Sequence, residues 1–378
     1  MYTLVIGRAY PAQETGMMGI FEFEQAIALN KHGMNTVYAF CDTRSIKRLR
    51  KLNYKTFTEK GVPVYGYHFP IGGLPRKIFD MLKLNRYKKL IRTIIKVHGV
   101  PAYIHVHFPL LTLNKEIWSL LRKLDVPIVV TEHWSRVHDK SIEDYRIDLL
   151  KHIVEEAKEF ICVSEPLKNS VLELTNSTRT IRVIPNMVNE HFYYEEAANT
   201  NHNEFYFIAI GRMTETKRFS FLVKAFAQAF PNQEDVKLRI VGDGPLYEEV
   251  KTKIKQLNLE NRVKMYGFLP REQTANLLRR SDAFVSASII ETFGVPFIEA
   301  MACGKPVIGI KGCPIEPYIN SNNGKLFDKD SLSSLVTTCQ KLYRNINKYS
   351  GEQTAANATN NFSEKAIANR LLKVYTEY

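Results

Sequence analysis

The amino-acid sequence alternates short runs rich in β-branched and aromatic residues with longer amphipathic runs, and this alternation occurs in two successive series. Strands separated by helices pair in parallel through right-handed crossovers, so each series predicts one doubly wound α/β domain. In the first series, strands are predicted at 2–6, 35–40, 102–108, 127–131, 159–164 and 181–185, and helices at 18–32, 77–97, 113–124, 143–157 and 166–175. In the second series, strands are predicted at 205–211, 236–242, 262–267, 283–288 and 305–310, and helices near 218–230, 245–257, 271–280, 296–303 and 330–345.

A polar segment without a sustained apolar period separates the two series. We predict an N-terminal Rossmann-like domain over 1–186, an interdomain linker over 187–204 and a C-terminal Rossmann-like domain over 205–362. A last helix is predicted over 363–378, with Ser363 as its N-cap, and is expected to pack back on the N-terminal domain. Ligands of doubly wound sheets bind outside the carboxyl ends of the strands, so the expected active site is the cleft between the two domains.

The composition is that of a soluble globular protein, with 45% hydrophobic and 24% charged residues. No apolar run approaches the roughly 20 residues that a membrane-spanning helix needs, and the N-terminal run is interpreted as a first strand rather than a signal peptide. The 5 cysteines are scattered and show neither CxxC spacing nor a disulfide framework. This usage favours a reducing compartment, and we expect a cytoplasmic protein.

The net charge of +13 is concentrated in one segment, residues 42–100, which holds fifteen Lys and Arg against three Asp and Glu. Such a patch is typical of proteins that meet a membrane surface, a nucleic acid or a phosphorylated substrate, although a solvated helix face is also compatible with it. No aromatic stacking platform or recognition helix accompanies it, so we expect no nucleic-acid partner. In 76–99, apolar and basic residues interleave, which favours an apolar face on the domain core and a basic face on anionic phospholipid.

The motif "GRMTETKRF" at 211–219 follows the first strand of the second series. A guanidinium at Arg212 and an ammonium at Lys217 would suit a diphosphate at this strand end, or they are two solvated basic residues in a loop. The turn "VGDGPLYEEV" at 241–250 resembles a phosphate loop, but it lacks the GxGxxG spacing and a P-loop lysine. Such a turn more often contains glycine simply because its backbone adopts positive φ.

The stretch "ETFGVPFIEA" at 291–300 has the signature of a helix start, because proline suits the first turn of a helix and glycine before it permits a close backbone approach. The N–H groups of Phe293, Gly294 and Val295 would then line a helix N-terminus, which favours an anion.

The same stretch places two glutamates eight positions apart. Glu291 precedes the predicted helix and Glu299 lies about one turn inside it, so the two carboxylates belong to different environments. A symmetric acid and base pair is therefore not expected. A carboxylate on a rigid helix suits the two adjacent hydroxyls of a ribose, whereas the simpler interpretation is two glutamates beside an ordinary loop.

Taken in order, "GRMTETK", "GDGP", "RVKMYGFLP", "ETFGVPFIEA", "ACGKPVIG" and "NGKLF" resemble the motifs of the retaining glycosyltransferases of family four, which have the GT-B fold. The Glu-x7-Glu hallmark of that family is matched by Glu291 and Glu299. The resemblance covers nearly the whole chain and is more specific in its C-terminal half. Met187 and Asn189 depart from the glycine and aspartate that the family usually has between the domains.

The resemblance implies roles for the matched positions. Arg212 and Lys217 would hold the donor diphosphate and neutralise the leaving group, Glu299 would accept from the ribose, and Glu291 would contact the transferred sugar or the diphosphate. His133 matches a histidine near the reacting sugar, although a lone histidine can equally be structural. The further donor-binding positions are Gly16, Phe293, Gly294 and Val295 near the phosphates and Gly267, Phe268 and Leu269 near the nucleobase.

The implied reaction is transfer of a sugar from a UDP- or GDP-sugar to a glycan or lipid-linked acceptor, with retention at the anomeric carbon. No cofactor is expected, and no metal, since the sequence has no DxD-type carboxylate cluster. The setting would be synthesis of a surface polysaccharide, with the enzyme peripheral on the inner face of the plasma membrane. Two other classes stay open at this point: a GT-B enzyme such as a UDP-sugar 2-epimerase, and a non-catalytic binder of nucleotide sugars.

Overall fold

The chain forms two compact units. The computed structural model describes residues 1–11, 18–45, 52–196 and 203–377. The first unit comprises Met1–Met187 together with Ile367–Tyr378, and the second comprises Val188–Ala366. The C-terminal segment therefore belongs to the first unit.

The first unit contains an 8-stranded sheet in the order β3-β4-β2-β1-β5-β6-β7-β8, in which only the β3–β4 pair is antiparallel among the strands described. This order is that of a doubly wound domain, with β1 and β5 adjacent where the direction of strand addition reverses. Its strands are β1 (Thr3–Gly7), β2 (Thr36–Asp42), β3 (Asn53–Glu59), β4 (Val62–His68), β5 (Tyr103–His107), β6 (Ile128–Glu132), β7 (Glu159–Cys162) and β8 (Arg182–Val183). Its helices are α1 (Ile20–Lys31), α2 (Arg76–His98), α3 (Pro109–Thr112), α4 (Lys115–Arg122), α5 (Ser135–His138), α6 (Asp144–Glu156) and α7 (Glu165–Thr175).

The hairpin β3–β4 was not predicted, and its composition explains the omission. Strand β3 lies at the sheet edge with no buried residue, so its sequence lacks the apolar face that indicates a strand. Strand β4 is buried, but Pro63 and Gly66 interrupt its pattern. Pro63 pairs with Thr58 of the antiparallel edge strand.

The second unit contains a 6-stranded parallel sheet in the order β11-β10-β9-β12-β13-β14. The predicted strands and helices are present, with several strands shorter than predicted, while β14 and α13 were not predicted. The strands are β9 (Phe205–Ile210), β10 (Val236–Val241), β11 (Val263–Met265), β12 (Ala283–Val285), β13 (Val307–Ile310) and β14 (Gly324–Phe327). The helices are α8 (Phe219–Ala229), α9 (Tyr247–Gln256), α10 (Arg271–Arg279), α11 (Val295–Ala302), α12 (Leu332–Arg344) and α13 (Gly351–Phe362).

A terminal helix, α14 (Glu364–Thr376), begins where Ser363 Oγ accepts the N–H of Ala366 at 3.3 Å, so the predicted N-cap is confirmed. Leu371 and Tyr375 are buried in the same apolar cluster as residues of β1 and α1. Helix α14 therefore packs on the N-terminal domain, as expected.

Helix α2 divides its side chains between the core and the surface. Tyr87, Leu90 and Ile94 are buried, as the apolar periodicity predicts. Two apolar residues of this helix do not pack on the core, since Ile78 is 46% exposed and Met81 is 54% exposed. The N-terminal part of α2 therefore presents apolar side chains at the surface. Among the residues that the structure describes, no helix is both long enough and apolar enough to cross a bilayer.

Candidate active site

Three loops at the carboxyl ends of β9, β10 and β11 are joined by backbone hydrogen bonds. The N–H of Met213 donates to the carbonyl of Asp243 at 2.9 Å, and the N–H of Gly242 donates to that of Gly267 at 2.8 Å. A fourth loop, after β12, joins them through the N–H of Ile289, which donates to the carbonyl of Thr216 at 2.9 Å. The residues that follow four neighbouring strands are thus held at one edge of the sheet.

The glycine-rich turn after β10 is required by this packing. Gly242 and Gly244 have φ of 134° and 158°, and a Cβ atom on Gly242 would lie 1.9 Å from the carbonyl oxygen of Gly211. A Cβ atom on Gly244 would lie 2.5 Å from the carbonyl oxygen of Met213. The turn therefore contains glycine because two loops touch there and φ is positive, as the simpler interpretation of the sequence holds.

Two of the predicted catalytic residues form an ion pair. Lys217 ends a short 3-10 turn, and its Nζ lies 2.5 Å from Oε1 of Glu291, with the side chains 24% and 13% exposed. Arg212 is exposed, and in the described part of the chain it forms no ion pair. The arrangement combines one paired lysine, one available guanidinium and one partly buried carboxylate.

Helix α11 begins beside this ion pair, and its start matches the prediction. Gly294 precedes the helix with φ of 105°, and Pro296 lies in the first turn. Phe293 is buried against Phe362, with ring centroids 5.7 Å apart, so only its backbone is available to a ligand. No protein acceptor is recorded, among the residues described, for the N–H groups of 293–295. The N-terminus of α11 can therefore accept an anion.

The remaining predicted donor residues lie in distinct environments. Glu299 is in α11, one turn beyond Pro296, and is 7% exposed, so it does not share the setting of Glu291. After β11, Gly267 has φ of 65° and Phe268 is 61% exposed, while Leu269 is partly buried. Gly16 lies outside the described residues, and its assignment stays a prediction.

In the first unit, His133 follows β6 and is buried in a cluster of rings. Its Nε2 lies 3.0 Å from Nδ1 of His107, and Phe108 stacks on it with a centroid distance of 4.7 Å. Burial lowers the pKa of His133 to about 3 and holds the pKa of His107 well below its usual value. Both imidazoles are therefore neutral near pH 7, and one donates the shared hydrogen bond to the other.

A chain of polar contacts continues from this histidine pair towards the C-terminal helix. The ring of His105 stacks on that of His107 with centroids 4.3 Å apart. Its Nδ1 and Nε2 bond the hydroxyls of Tyr375 and Thr131 at 2.6 and 2.7 Å. Sequence reasoning missed His105 and His107. The pattern "HVH" within an apolar strand was the available signal, because a buried histidine needs hydrogen-bond partners.

Two further ionisable groups lie at this edge of the first sheet, a half-buried Arg8 and a fully buried Glu132. Arg8, after β1, donates from Nε to Oε1 of Glu22 at 2.7 Å and covers the ring of Phe108 at 3.2 Å. Glu132 Oε1 accepts the N–H groups of residues 133 and 134, both at 2.8 Å, while its Oε2 has no partner in the part of the chain that is described. Burial raises the pKa of Glu132 to about 7.

Among the residues that the structure describes, no group of three or more His, Cys, Asp or Glu side chains has an arrangement that could hold a metal ion. The 5 cysteines are free thiols, and only Cys313 is not fully buried.

Two doubly wound α/β domains, each with polar residues at the carboxyl edge of its sheet, are the architecture of the GT-B fold class. The family model "Glycosyltransferase Family 4" matches residues 23–192, and the model "Glycosyl transferases group 1" matches residues 194–361. Between them the two models span almost the whole chain. The chain belongs to the family 4 glycosyltransferases.

Relatives agree with this assignment, and a solved structure agrees with the fold. The chain is 26% identical over 287 residues to N-acetyl-alpha-D-glucosaminyl L-malate synthase of Bacillus anthracis, covering 72% of this chain and 74% of that one. It is 25% identical over 226 residues to the phosphatidylinositol N-acetylglucosaminyltransferase GPI3 subunit of Saccharomyces cerevisiae, covering 57% of this chain but only 50% of the yeast subunit. HepE of Anabaena, solved in complex with UDP and glucose, has the same fold, with a TM-score of 0.74 at 18% identity and full coverage of both chains.

Proposed function

We propose that this glycosyltransferase takes its sugar from a nucleoside diphosphate donor and retains the configuration at the anomeric carbon. The observation that carries the proposal is the ion pair between Lys217 and Glu291, placed next to the N-terminus of α11. A cation and free helix N–H groups in one place suit an anionic ligand with several oxygens, such as a diphosphate. UDP is the first candidate, because HepE was solved with UDP, and GDP is the second.

In this proposal each predicted residue binds a particular part of the donor. Arg212 and Lys217 bind the diphosphate and stabilise the negative charge that develops as it leaves. The N–H groups of residues 293–295 bind the same phosphates. Glu299 accepts from the ribose hydroxyls, and residues 267–269 border the nucleobase. Gly16 allows the backbone of the first unit to approach the phosphates.

The reaction proposed is attack on the face from which the diphosphate leaves. The bond from the anomeric carbon to the diphosphate breaks, a bond to the acceptor oxygen forms on the same face, and the departing phosphate takes the acceptor proton. Glu291, which is paired with Lys217, contacts the transferred sugar or the diphosphate, and the step uses no enzymatic nucleophile. Neutral His133 supplies a hydrogen bond to the transferred sugar. Positioning and electrostatic stabilisation then supply the catalysis.

We propose further that the reaction needs no metal and no cofactor. The positive charge that a divalent ion would bring to the diphosphate is available from Arg212, Lys217 and the N-terminus of α11. Activity that persists in excess EDTA is the expected result.

The acceptor is proposed to be a glycan or a lipid-linked molecule that meets the first unit, in the synthesis of a surface polysaccharide. The relatives named above carry malate and phosphatidylinositol in their names, and both of those molecules are acidic. Helix α2 offers a surface for a membrane, because Lys88, Lys89 and Arg92 are exposed on it together with Ile78 and Met81. Basic and apolar side chains on one exposed helix suit anionic phospholipid.

A thermal-shift screen against UDP, GDP, ADP and their common sugars tests the donor proposal. A ligand that binds only the native state at 100 times its dissociation constant stabilises it by about 2.7 kcal/mol and raises the melting temperature. We expect such a rise with UDP or GDP and their sugars, and none with sodium chloride at the same ionic strength. Unchanged melting with every nucleotide would contradict the proposal.

A further inference from the structure

A cavity of about 280 Å³ lies in the first unit, at the same edge of the sheet as His133. Its walls come from Thr43 after β2, from the segment Leu110–Asn114 after β5, and from the first half of α2 and the start of α6. Each of these segments follows the carboxyl end of a strand, which is where doubly wound domains bind their ligands.

The cavity is lined by an excess of cations. Arg76, Lys83, Lys115 and Arg146 line it, against Asp80 and Glu116. Asp80 is already engaged, since Nδ2 of Asn114 donates to its Oδ1 at 3.1 Å and Nε of Arg76 lies 3.5 Å from its Oδ2. A lining with surplus positive charge is suited to an anionic ligand.

Lys83 is the most unusual residue in this lining, because it is 2% exposed and yet lacks a carboxylate partner. Its Nζ donates to the carbonyl oxygen of Leu111 at 2.9 Å, and in the described part of the chain it forms no ion pair. An ammonium has three N–H donors, and buried charges are ordinarily paired. Burial lowers the pKa of Lys83 to about 8, so most of it is still charged near pH 7. An anion in the cavity would accept further hydrogen bonds from the ammonium group of Lys83.

The second cation, Arg146, is held in place by its neighbours. Its NH1 donates to the carbonyl of Leu110, and its Nε lies 2.9 Å from Oε2 of Glu143. Its guanidinium lies 5.1 Å from the ring of Trp134, the residue after His133. Arg146 therefore lines the cavity and also contacts Trp134, which is next in sequence to the histidine that we place beside the transferred sugar.

We propose that this cavity binds an acidic group, a carboxylate or a phosphate, of the sugar acceptor, with Lys83 and Arg146 as its principal ligands. The identification of the ligand as an acceptor rests on the proposed function. The anion site itself is inferred only from the cavity and the cations that line it. Arg76, Asp80 and Lys83 lie at i, i+4 and i+7 on one face of α2, and the exposed basic residues Lys88 and Lys89 lie outside the cavity. The two sets of cations can therefore be tested separately.

Calorimetric titration of the full chain tests the site, with the donor site filled by UDP. The probes are L-malate, inorganic phosphate and glycerophosphoinositol, which represent a small acid, a free phosphate and a lipid headgroup. We expect Lys83→Met and Arg146→Gln to weaken the tightest of these probes about tenfold or more, because each removes a charged hydrogen-bond donor. The control Lys168→Met removes a lysine of α7 outside the cavity and should bind as the wild type does.

The outcomes separate this inference from the donor proposal. Loss of anion binding in both cavity variants, with UDP affinity unchanged, supports the site, and the probe preferred by the wild type shows which source the acidic group has. Equal anion binding in the wild type and both variants overturns it, even if UDP binds normally. If UDP fails to bind the wild type while anion binding still depends on Lys83 and Arg146, the donor proposal fails and the anion site stands. The side chain of Arg146 is partly exposed, so Arg146→Gln is expected to fold. If Lys83→Met fails to fold, Arg146→Gln still tests the site.

Discussion

Lys217 and Glu291 illustrate how one ion pair can serve catalysis without contributing much to stability. Both side chains are partly exposed, and such pairs contribute about 0 to 1 kcal/mol. In the proposed reaction the same lysine faces the charge that develops on the leaving diphosphate, where one removed donor typically costs about 100- to 1,000-fold in turnover.

Lys217→Ala is therefore expected to lower kcat about 100-fold or more while changing the free energy of unfolding by no more than about 1 kcal/mol. With the acceptor unknown, turnover is measured as hydrolysis of the donor, in which water takes the sugar and nucleoside diphosphate is released. Lys224→Ala, which removes an exposed lysine of α8 in the same unit, is the matched control and should keep wild-type turnover. A Lys217→Ala variant of normal activity would mean that another group holds the diphosphate.

Because of Glu132, we expect the free energy of unfolding to depend on pH. Burial raises its pKa from the usual 4.5 to about 7, so the folded chain binds a proton that the unfolded chain releases between those values. The contribution of Glu132 to stability is complete below about pH 4.5 and is lost as the pH rises through 7. At about 1.4 kcal/mol per unit of pKa, the loss is on the order of 3 kcal/mol.

Glu132→Gln is expected to remove this fall in stability between pH 5 and pH 8. The amide oxygen can still accept from the N–H groups of residues 133 and 134, and the amide nitrogen takes the place of the unpartnered Oε2. Both tryptophans of the chain, Trp118 and Trp134, belong to the first unit, so their fluorescence during urea unfolding reports on that unit alone. Glu173→Gln, at an exposed glutamate, should keep the wild-type slope, and an unchanged slope in Glu132→Gln would contradict the assignment.

One prediction that the structure confirms, the start of α11, depends on a single contiguous stretch of the sequence. Glu291, Gly294 and Glu299 lie within ten positions, and the start of α11 follows from glycine and proline alone. His107 and Lys83 were missed because their partners, His133 and the carbonyl of Leu111, come from other elements. Such contacts depend on strand order, which local periodicity does not determine.

Among the secondary-structure elements, α2 combines a buried face with an exposed basic and apolar one. Lys88 and Lys89 are exposed, and no acidic residue of α2 is fully exposed. Each basic residue near an anionic bilayer contributes about 1 kcal/mol to binding. Membrane binding by this helix is therefore expected to depend on lipid charge and to weaken with salt.

Sedimentation with vesicles tests this surface. We expect the wild type to bind phosphatidylglycerol vesicles in preference to phosphatidylcholine vesicles at low salt, and Lys88→Gln/Lys89→Gln to weaken that binding roughly thirtyfold. Lys251→Gln/Lys255→Gln, which removes two exposed lysines of α9 in the second unit, is the control with the same loss of charge. Equal sedimentation with both lipids would defeat the membrane proposal while leaving the donor proposal intact.

The elements that escaped prediction have weak local patterns. Helix α13 buries mainly small residues, Thr354, Ala355 and Ala358, so its apolar face is too slight to stand out in the sequence. Its last residue, Phe362, packs on Tyr318 with ring centroids 4.8 Å apart. Strand β14 has only 4 residues, of which two are buried. Tertiary packing rather than local periodicity defines both elements.

For the molecule as a whole, the division into two doubly wound units followed from the repeated alternation of strands and helices. Helix α14 is held on the first unit by the buried side chains of Leu371 and Tyr375. The hydroxyl of Tyr103 also donates to the carbonyl of Tyr375 at 2.6 Å. In our account the second unit binds the donor nucleotide and the first binds the acceptor. The donor half of that account depends on Glu299, the one buried carboxylate assigned to a ribose.

The most direct test is a calorimetric cycle with two proteins and two nucleotides: wild type and Glu299→Gln, each titrated with UDP and with 2′,3′-dideoxy-UDP. If Glu299 binds the ribose hydroxyls, its substitution should weaken UDP about tenfold or more and leave the dideoxy nucleotide nearly unaffected, so that the two losses are not additive. Glu248→Gln, at an exposed glutamate of α9, should behave as the wild type. Equal affinity of wild type and Glu299→Gln for UDP, or equal losses for both nucleotides, would contradict the account.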